Sequence, residues 1–139
     1  MIILDTNVLS ELMRDSPHAA VLAWLDRQPA TSIWFSTVTL MEIHFGHFRM
    51  PEGKRRDLMI RELENILHEE FDERYAPFDK AVAGQAAFLM ALLETNERPI
   101  EFRDAMIDGT LLSTNAALAT RNVSQFGGLG LNLINPWEQ

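Results

Sequence analysis

Ile2-Ile3-Leu4-Asp5-Thr6-Asn7-Val8-Leu9 passes from three apolar residues straight into a carboxylate, a hydroxyl and an amide, and then into a helix expected to begin at Val8. The apolar residues read as a buried strand, so Asp5 stands at its carboxyl end. That edge is where open α/β sheets form their ligand crevice. Three later stretches repeat the arrangement. Glu42 follows the strand-like residues 32–36, Asp104 opens an apolar helix, and Thr120-Arg121-Asn122 follows the short apolar run 116–119. Carboxylates gathered from distant segments onto one sheet edge suit a divalent cation, and a divalent cation there suits phosphoryl chemistry.

Outward from this first strand, short apolar runs alternate with longer amphipathic stretches. That alternation predicts an α/β fold, a parallel sheet of four to five strands flanked by helices. Strands are expected at 2–4, 33–35, 75–78, 118–119 and 131–134. Ser16-Pro17 reads as the cap and first turn of a second helix reaching Arg27. Thr37 or Thr39 caps the helix that carries Glu42, and Pro51 and Gly53 end it. Further helices are expected over 54–70, over 80–96 with Asp79 as cap, and over 103–115. In the last of these, Ala105, Met106, Ile107, Leu111 and Leu112 form the apolar stripe. Residues 127–130 read as a loop that lacks the Lys and helix start of a phosphate-binding loop.

The 139 residues fit one domain over 1–139, and a 47% hydrophobic content is ample for one core. No apolar run approaches the roughly 18 residues of a membrane span. The start reaches Asp5 after four residues, unlike a secretory signal. The chain has no cysteine, which excludes disulfides, thiolate catalysis and zinc–thiolate sites. A soluble, cytoplasmic protein is the expectation. The formal net charge of −8 argues at first sight against a nucleic-acid ligand. A metal pocket, however, concentrates negative charge that bound cations cancel, and Arg49 and Lys54-Arg55-Arg56 concentrate positive charge locally. Nucleic-acid binding should then be weak and salt-sensitive, although the same basic run also reads as a solvated helix face.

Four ordered motifs carry a family resemblance: Ile3-Leu4-Asp5-Thr6-Asn7-Val8-Leu9; Ser36-Thr37-Val38-Thr39-Leu40-Met41-Glu42 with Gly46; Arg103-Asp104-Ala105-Met106-Ile107; and Leu118-Ala119-Thr120-Arg121-Asn122 with Phe126. Together with Asn135-Pro136-Trp137 they resemble the PIN-domain nucleases, and within them the VapC and FitB toxins of type II toxin–antitoxin pairs. The resemblance implies a Rossmann-like PIN fold, an endoribonuclease dependent on Mg²⁺ or Mn²⁺, a homodimer, and a cognate antitoxin. Carried over by position, Asp5, Glu42 and Asp104 are the first three acids of the catalytic and metal site. The fourth position, often Asp, is Asn122 here, which puts a second tightly bound metal in doubt.

Thr6, Asn7 and Thr120 belong to the same motifs as groups that orient the ligands. Asp108 stands one helical turn after Asp104, where the family usually has a small residue, and reads as an additional outer ligand or a polar neighbour. Arg121 reads either as a phosphate contact or as the partner of a structural carboxylate. Taken singly, Asp5 could merely cap a helix, Glu42 could face solvent, and Asp104 could answer the helix dipole. Four such positions together favour the metal site. Crowded carboxylates should strain that site when it holds no cation. His44 and His47 follow Glu42 at helical spacing but lack a third strong ligand for zinc. Trp24, Trp34, Phe45, Phe48 and Phe88 read as core, with some able to line an antitoxin groove or dimer face. Two other readings compete. One is a catalytically silent PIN-like binding subunit, suggested by Asn122 and the net charge. The other is a phosphorylated receiver pocket, which needs paired acids directly after the first strand and a late Lys, neither present here.

Overall fold

The computed structural model describes residues 1–126 and 129–139. Its strands are β1 (Ile2–Leu4), β2 (Ile33–Ser36), β3 (Tyr75–Ala76), β4 (Ala117–Ala119) and β5 (Leu133–Ile134). They form one parallel sheet in the order β3-β2-β1-β4-β5. Register places Ile3 between Trp34 and Leu118. The chain therefore runs outward from β1 on one side, then returns to lay β4 and β5 on the other. The strand order reverses between β1 and β4, and the crevice of a doubly wound sheet opens at such a reversal.

Among the described residues six α-helices cover the two faces: α1 (Thr6–Leu12), α2 (Ala19–Asp26), α3 (Thr37–Phe48), α4 (Lys54–Glu69), α5 (Lys80–Thr95) and α6 (Phe102–Thr114). Side chains alternate across a strand, so neighbours in β1 serve opposite layers. Leu4 packs with Val8, Leu9, Trp24, Phe35, Leu63 and Phe71. Ile3 instead joins Ile107, Leu111, Leu118 and Phe126. Burial on both faces explains why the strands read as unbroken apolar runs. Helix α5 lies against α6, where a Cβ built on Gly109 would stand 2.9 Å from the backbone nitrogen of Ala86. Only glycine permits so close an approach.

Several boundaries differ from expectation for local reasons. Helix α1 begins at Thr6 rather than Val8 because Asp5 is itself the cap, its Oδ1 accepting from the Thr6 N–H at 2.9 Å. His18, not Ser16-Pro17, caps α2, with Nδ1 accepting from the Ala20 N–H at 3.1 Å. The cap of α3 is Ser36, whose Oγ accepts from the Thr39 N–H at 3.0 Å. Thr37 is left free to accept from the Phe78 N–H at 2.9 Å, tying the exit of β3 to α3. Strands β3 and β5 are each two residues long. Of the expected 127–130 loop, Gly127 and Gly128 lie outside the described residues, and Gly130 adopts φ +68°, the left-handed region that suits glycine.

Candidate active site

Asp5 projects from the carboxyl end of β1 and is 1% exposed. A buried carboxylate is costly unless its oxygens find donors. Its Oδ1 accepts from the Thr6 backbone, and its Oδ2 from the Thr120 hydroxyl at 2.9 Å and the Asn7 amide at 3.3 Å. Asn7 also donates to Thr120 Oγ1 at 3.3 Å and accepts from the Arg121 N–H at 3.0 Å, stitching the end of β1 to the end of β4. Glu42 reaches the same edge from α3, and the Thr6 hydroxyl donates to its Oε1 at 2.7 Å. Asp104 arrives in the first turn of α6. Thr6, Asn7 and Thr120 thus supply hydrogen bonds to the carboxylates of Asp5 and Glu42.

Between these acids stands Arg103, which in the sequence opens a helix and a family motif without announcing a role in the site. Arg103 donates through Nη2 to Asp5 Oδ1 at 2.6 Å, through Nε to Glu42 Oε1 at 2.9 Å and through Nη1 to Asp104 Oδ1 at 3.2 Å. Burial works to lower the pKa of its guanidinium, but the charge of Asp5, the hydrogen bond to it and the same two contributions from Glu42 outweigh that and raise it. A signal for it existed. A cation in the first turn of a helix opposes the helix dipole and calls for compensating acids nearby.

Asp108, one turn below Asp104 on α6, is 1% exposed, and its Oδ1 has no hydrogen-bond partner among the described residues. Burial pushes its carboxyl up to about 7; the charge of Asp104 adds to this, Arg103 partly offsets it, and Asp5 adds again. The crowded carboxylates are thus offset by an internal guanidinium and, below about pH 7, by a proton on Asp108. Asn122 is exposed at the rim, where it lines a cleft of about 460 Å³ with Thr6, Glu42, Arg103 and Asp104.

The donors fit a hard divalent cation in kind, since carboxylate oxygens from three elements surround one positive group. As placed, they wrap a broad planar guanidinium. No three His, Cys, Asp or Glu side chains among the described residues close upon a single metal point. The His44 and His47 pair does not do so either. The Nδ1 atoms of both lack partners among the described residues, and burial, then the charge of His44, lowers the pKa of His47. Arg121 makes no ion pair with a carboxylate among the described residues; its guanidinium lies 4.8 Å from the centre of the Trp137 ring. Of the aromatic residues expected in the core, Trp24 is buried and Trp34 half-buried, whereas Phe45, Phe48 and Phe88 are exposed.

The reversed strand order, the acid at the end of β1 and the carboxylates brought to it from α3 and α6 define an α/β protein built around an acidic edge site. Residues 2–126 match the PIN domain, and the chain belongs to that family. It is 41% identical over 138 residues to the VapC ribonuclease Y4jK of Sinorhizobium fredii, a similarity covering 99% of each chain. It is 32% identical over 137 residues to Toxin FitB of Neisseria gonorrhoeae, again covering 99% of each. The crystal structure of FitAcB from Neisseria gonorrhoeae superposes with a TM-score of 0.88 at 32% identity, covering all of both chains.

Proposed function

We propose that this chain, as one domain over residues 1–139, is a Mg²⁺- or Mn²⁺-dependent endoribonuclease and the toxin of a type II toxin–antitoxin pair. The observation that carries the reading is the convergence of Asp5, Glu42 and Asp104 on one positive group at the reversal of strand order. The similarity to relatives named a ribonuclease and a toxin supports it. Asp5 and Asp104 would hold the cation directly, and Glu42 directly or through water, with Asn122 a neutral oxygen at the rim. A divalent cation bound there offsets charge on the RNA phosphate and makes an attacking water more acidic. Thr120, Asn7 and the Thr6 backbone keep the Asp5 carboxylate oriented, and the Thr6 hydroxyl does the same for Glu42. Asp108, one turn after Asp104 on α6, would act as an outer carboxylate.

The partners of this reading are an RNA substrate, a cognate antitoxin and a second copy of the chain. An exposed stripe of Met41, Phe45 and Phe48 along α3 supports the presence of a protein partner. A cytoplasmic location accords with the family. Among the described residues no helix is long and apolar enough to cross a membrane. One observation favours the competing reading of a silent binding subunit: Arg103 fills the acid cluster.

Cleavage decides between the two. The purified chain, free of antitoxin, should cut RNA with Mg²⁺ or Mn²⁺ and stop in EDTA. Asp5→Asn or Asp104→Asn should lower the rate by at least about a hundredfold, the loss expected when several kcal/mol of charge stabilisation disappear, with the fold retained by circular dichroism. Cleavage that persists in EDTA, or in Asp5→Asn, would overturn the metal reading.

A further inference from the structure

Three carboxylates that share one edge of a protein need positive charge nearby, and here the chain supplies its own. The ion pairs of Arg103 at 2.6 Å to Asp5, 2.9 Å to Glu42 and 3.2 Å to Asp104 use the same carboxylates a cation would need. Each bonded oxygen is already committed to a guanidinium N–H. We infer that Arg103 is an internal counter-ion of the acid site, so that a divalent cation enters only by displacing it. The inference rests on the metal-dependent reading above and adds its regulation: the cation-free site is held closed by the chain itself.

Three observations bear on this beyond the ion pairs. First, the acids are arranged for a broad planar cation. Among the described residues no three of them form a ready metal-binding group, and the oxygens paired with Arg103 become available to a metal ion when it departs. Second, the guanidinium has a way out. Its side chain is 26% exposed, and it lines the open cleft together with Glu101, an acid two residues earlier that has no ion-pair partner among the described residues. Glu101 occupies the cap position of α6 without a side-chain capping bond, so its carboxylate is available to a displaced guanidinium. Third, Asp5 does not depend on Arg103 for its position. Thr6, Asn7 and Thr120 hold it from the other side, and it stays in place as Arg103 leaves.

Competition of this kind lowers apparent metal affinity by the fraction of time the site is open. If Arg103 occupies the acids about nine-tenths of the time, its removal tightens metal binding about tenfold. The test is calorimetric titration of Mn²⁺ into the full chain as wild type, Arg103→Gln and Arg103→Lys. Arg103→Gln should bind Mn²⁺ about tenfold more tightly than wild type, with Arg103→Lys between them. In EDTA, Arg103→Gln should melt below wild type, because its acids have lost their counter-charge, and it should gain more from added Mn²⁺.

Equal or weaker Mn²⁺ binding by Arg103→Gln, with wild type binding normally, overturns the inference and leaves the metal reading standing. Absence of Mn²⁺ binding by every form, up to millimolar concentration, overturns both. Should Arg103→Gln fail to fold, the wild-type protein still gives an answer. The Arg103 Nε–H resonance, identified by its absence from Arg103→Lys, should shift when diamagnetic Mg²⁺ is added, and an unmoved resonance in the Mg²⁺-saturated protein overturns the inference.

Discussion

Replacing Asp108 with Asn should make the cation-free protein more stable at alkaline pH and little changed in acid. The carboxyl is buried, has an unpartnered Oδ1 and is pushed up to about 7 in the folded chain, mainly by burial and then by Asp104. In the unfolded chain it titrates near the ordinary value of about 3.9. The sign follows from which state holds the proton. Between these two values the folded protein keeps a proton that the unfolded chain has released, so stability is greatest at low pH. It falls as pH rises from about 4 to about 7, by about 1.4 kcal/mol per pH unit, and then levels off.

Between pH 5 and pH 8 this single group removes about 2–3 kcal/mol, and for a chain of this length that corresponds to about 10 °C in melting temperature. Asp108→Asn preserves shape and removes the titration. Thermal melts of both proteins in EDTA at pH 5, 6, 7 and 8 measure the effect. The variant should gain on wild type steadily up to pH 7 and hold a constant lead above it. Parallel pH profiles for the two proteins would show that the Asp108 carboxyl is ionised throughout and that the account of its burial is wrong. With Mg²⁺ present, the wild-type profile should flatten, because a nearby divalent charge favours the ionised carboxylate.

Two other substitutions test neighbouring parts of the structure. Asn122→Asp adds a carboxylate to the rim of the cleft, so half-maximal cleavage should occur at lower Mg²⁺; an unchanged midpoint in a Mg²⁺ titration would place residue 122 outside the coordination sphere. Gly109→Ala forces a methyl group to 2.9 Å from the backbone of α5, and overpacking of this kind should cost about 1–3 kcal/mol, read as a lower melting temperature. A wild-type melt would mean that α5 and α6 separate freely.

How much of this could be read in the sequence depends on the range over which each feature is encoded. The sheet edge was legible because Leu4-Asp5 and Ala119-Thr120 place an apolar-to-polar switch within two residues, and a buried strand end leaves few other uses for such a switch. Asp79 as the cap of α5 was legible for the same reason, its Oδ1 accepting from the Val82 N–H at 3.0 Å, three residues on. Caps at Ser36 and His18 were missed by one or two residues. A strand that runs one residue further moves the cap with it, and imidazole is an uncommon cap.

Arg103 belongs to a different order of information. Its partners Asp5 and Glu42 stand 98 and 61 residues away in sequence. A cation in the first turn of a helix calls for acids nearby, but no local pattern says which acids they are. The aromatic residues show the same limit: Phe45 and Phe48 sit at apolar positions of α3, yet the helix turns them outward, where Arg49 and Arg56 lie over their rings at 5.2 and 5.4 Å. An inventory of acids can therefore nominate ligands without giving the charge that a site presents. Asp5, Glu42, Asp104 and Asp108 suggest four negative charges, but Arg103 offsets one and the raised Asp108 holds its proton below about pH 7. Two formal negative charges remain, a balance that suits the divalent cation proposed above and leaves few like charges to oppose folding of the acid site.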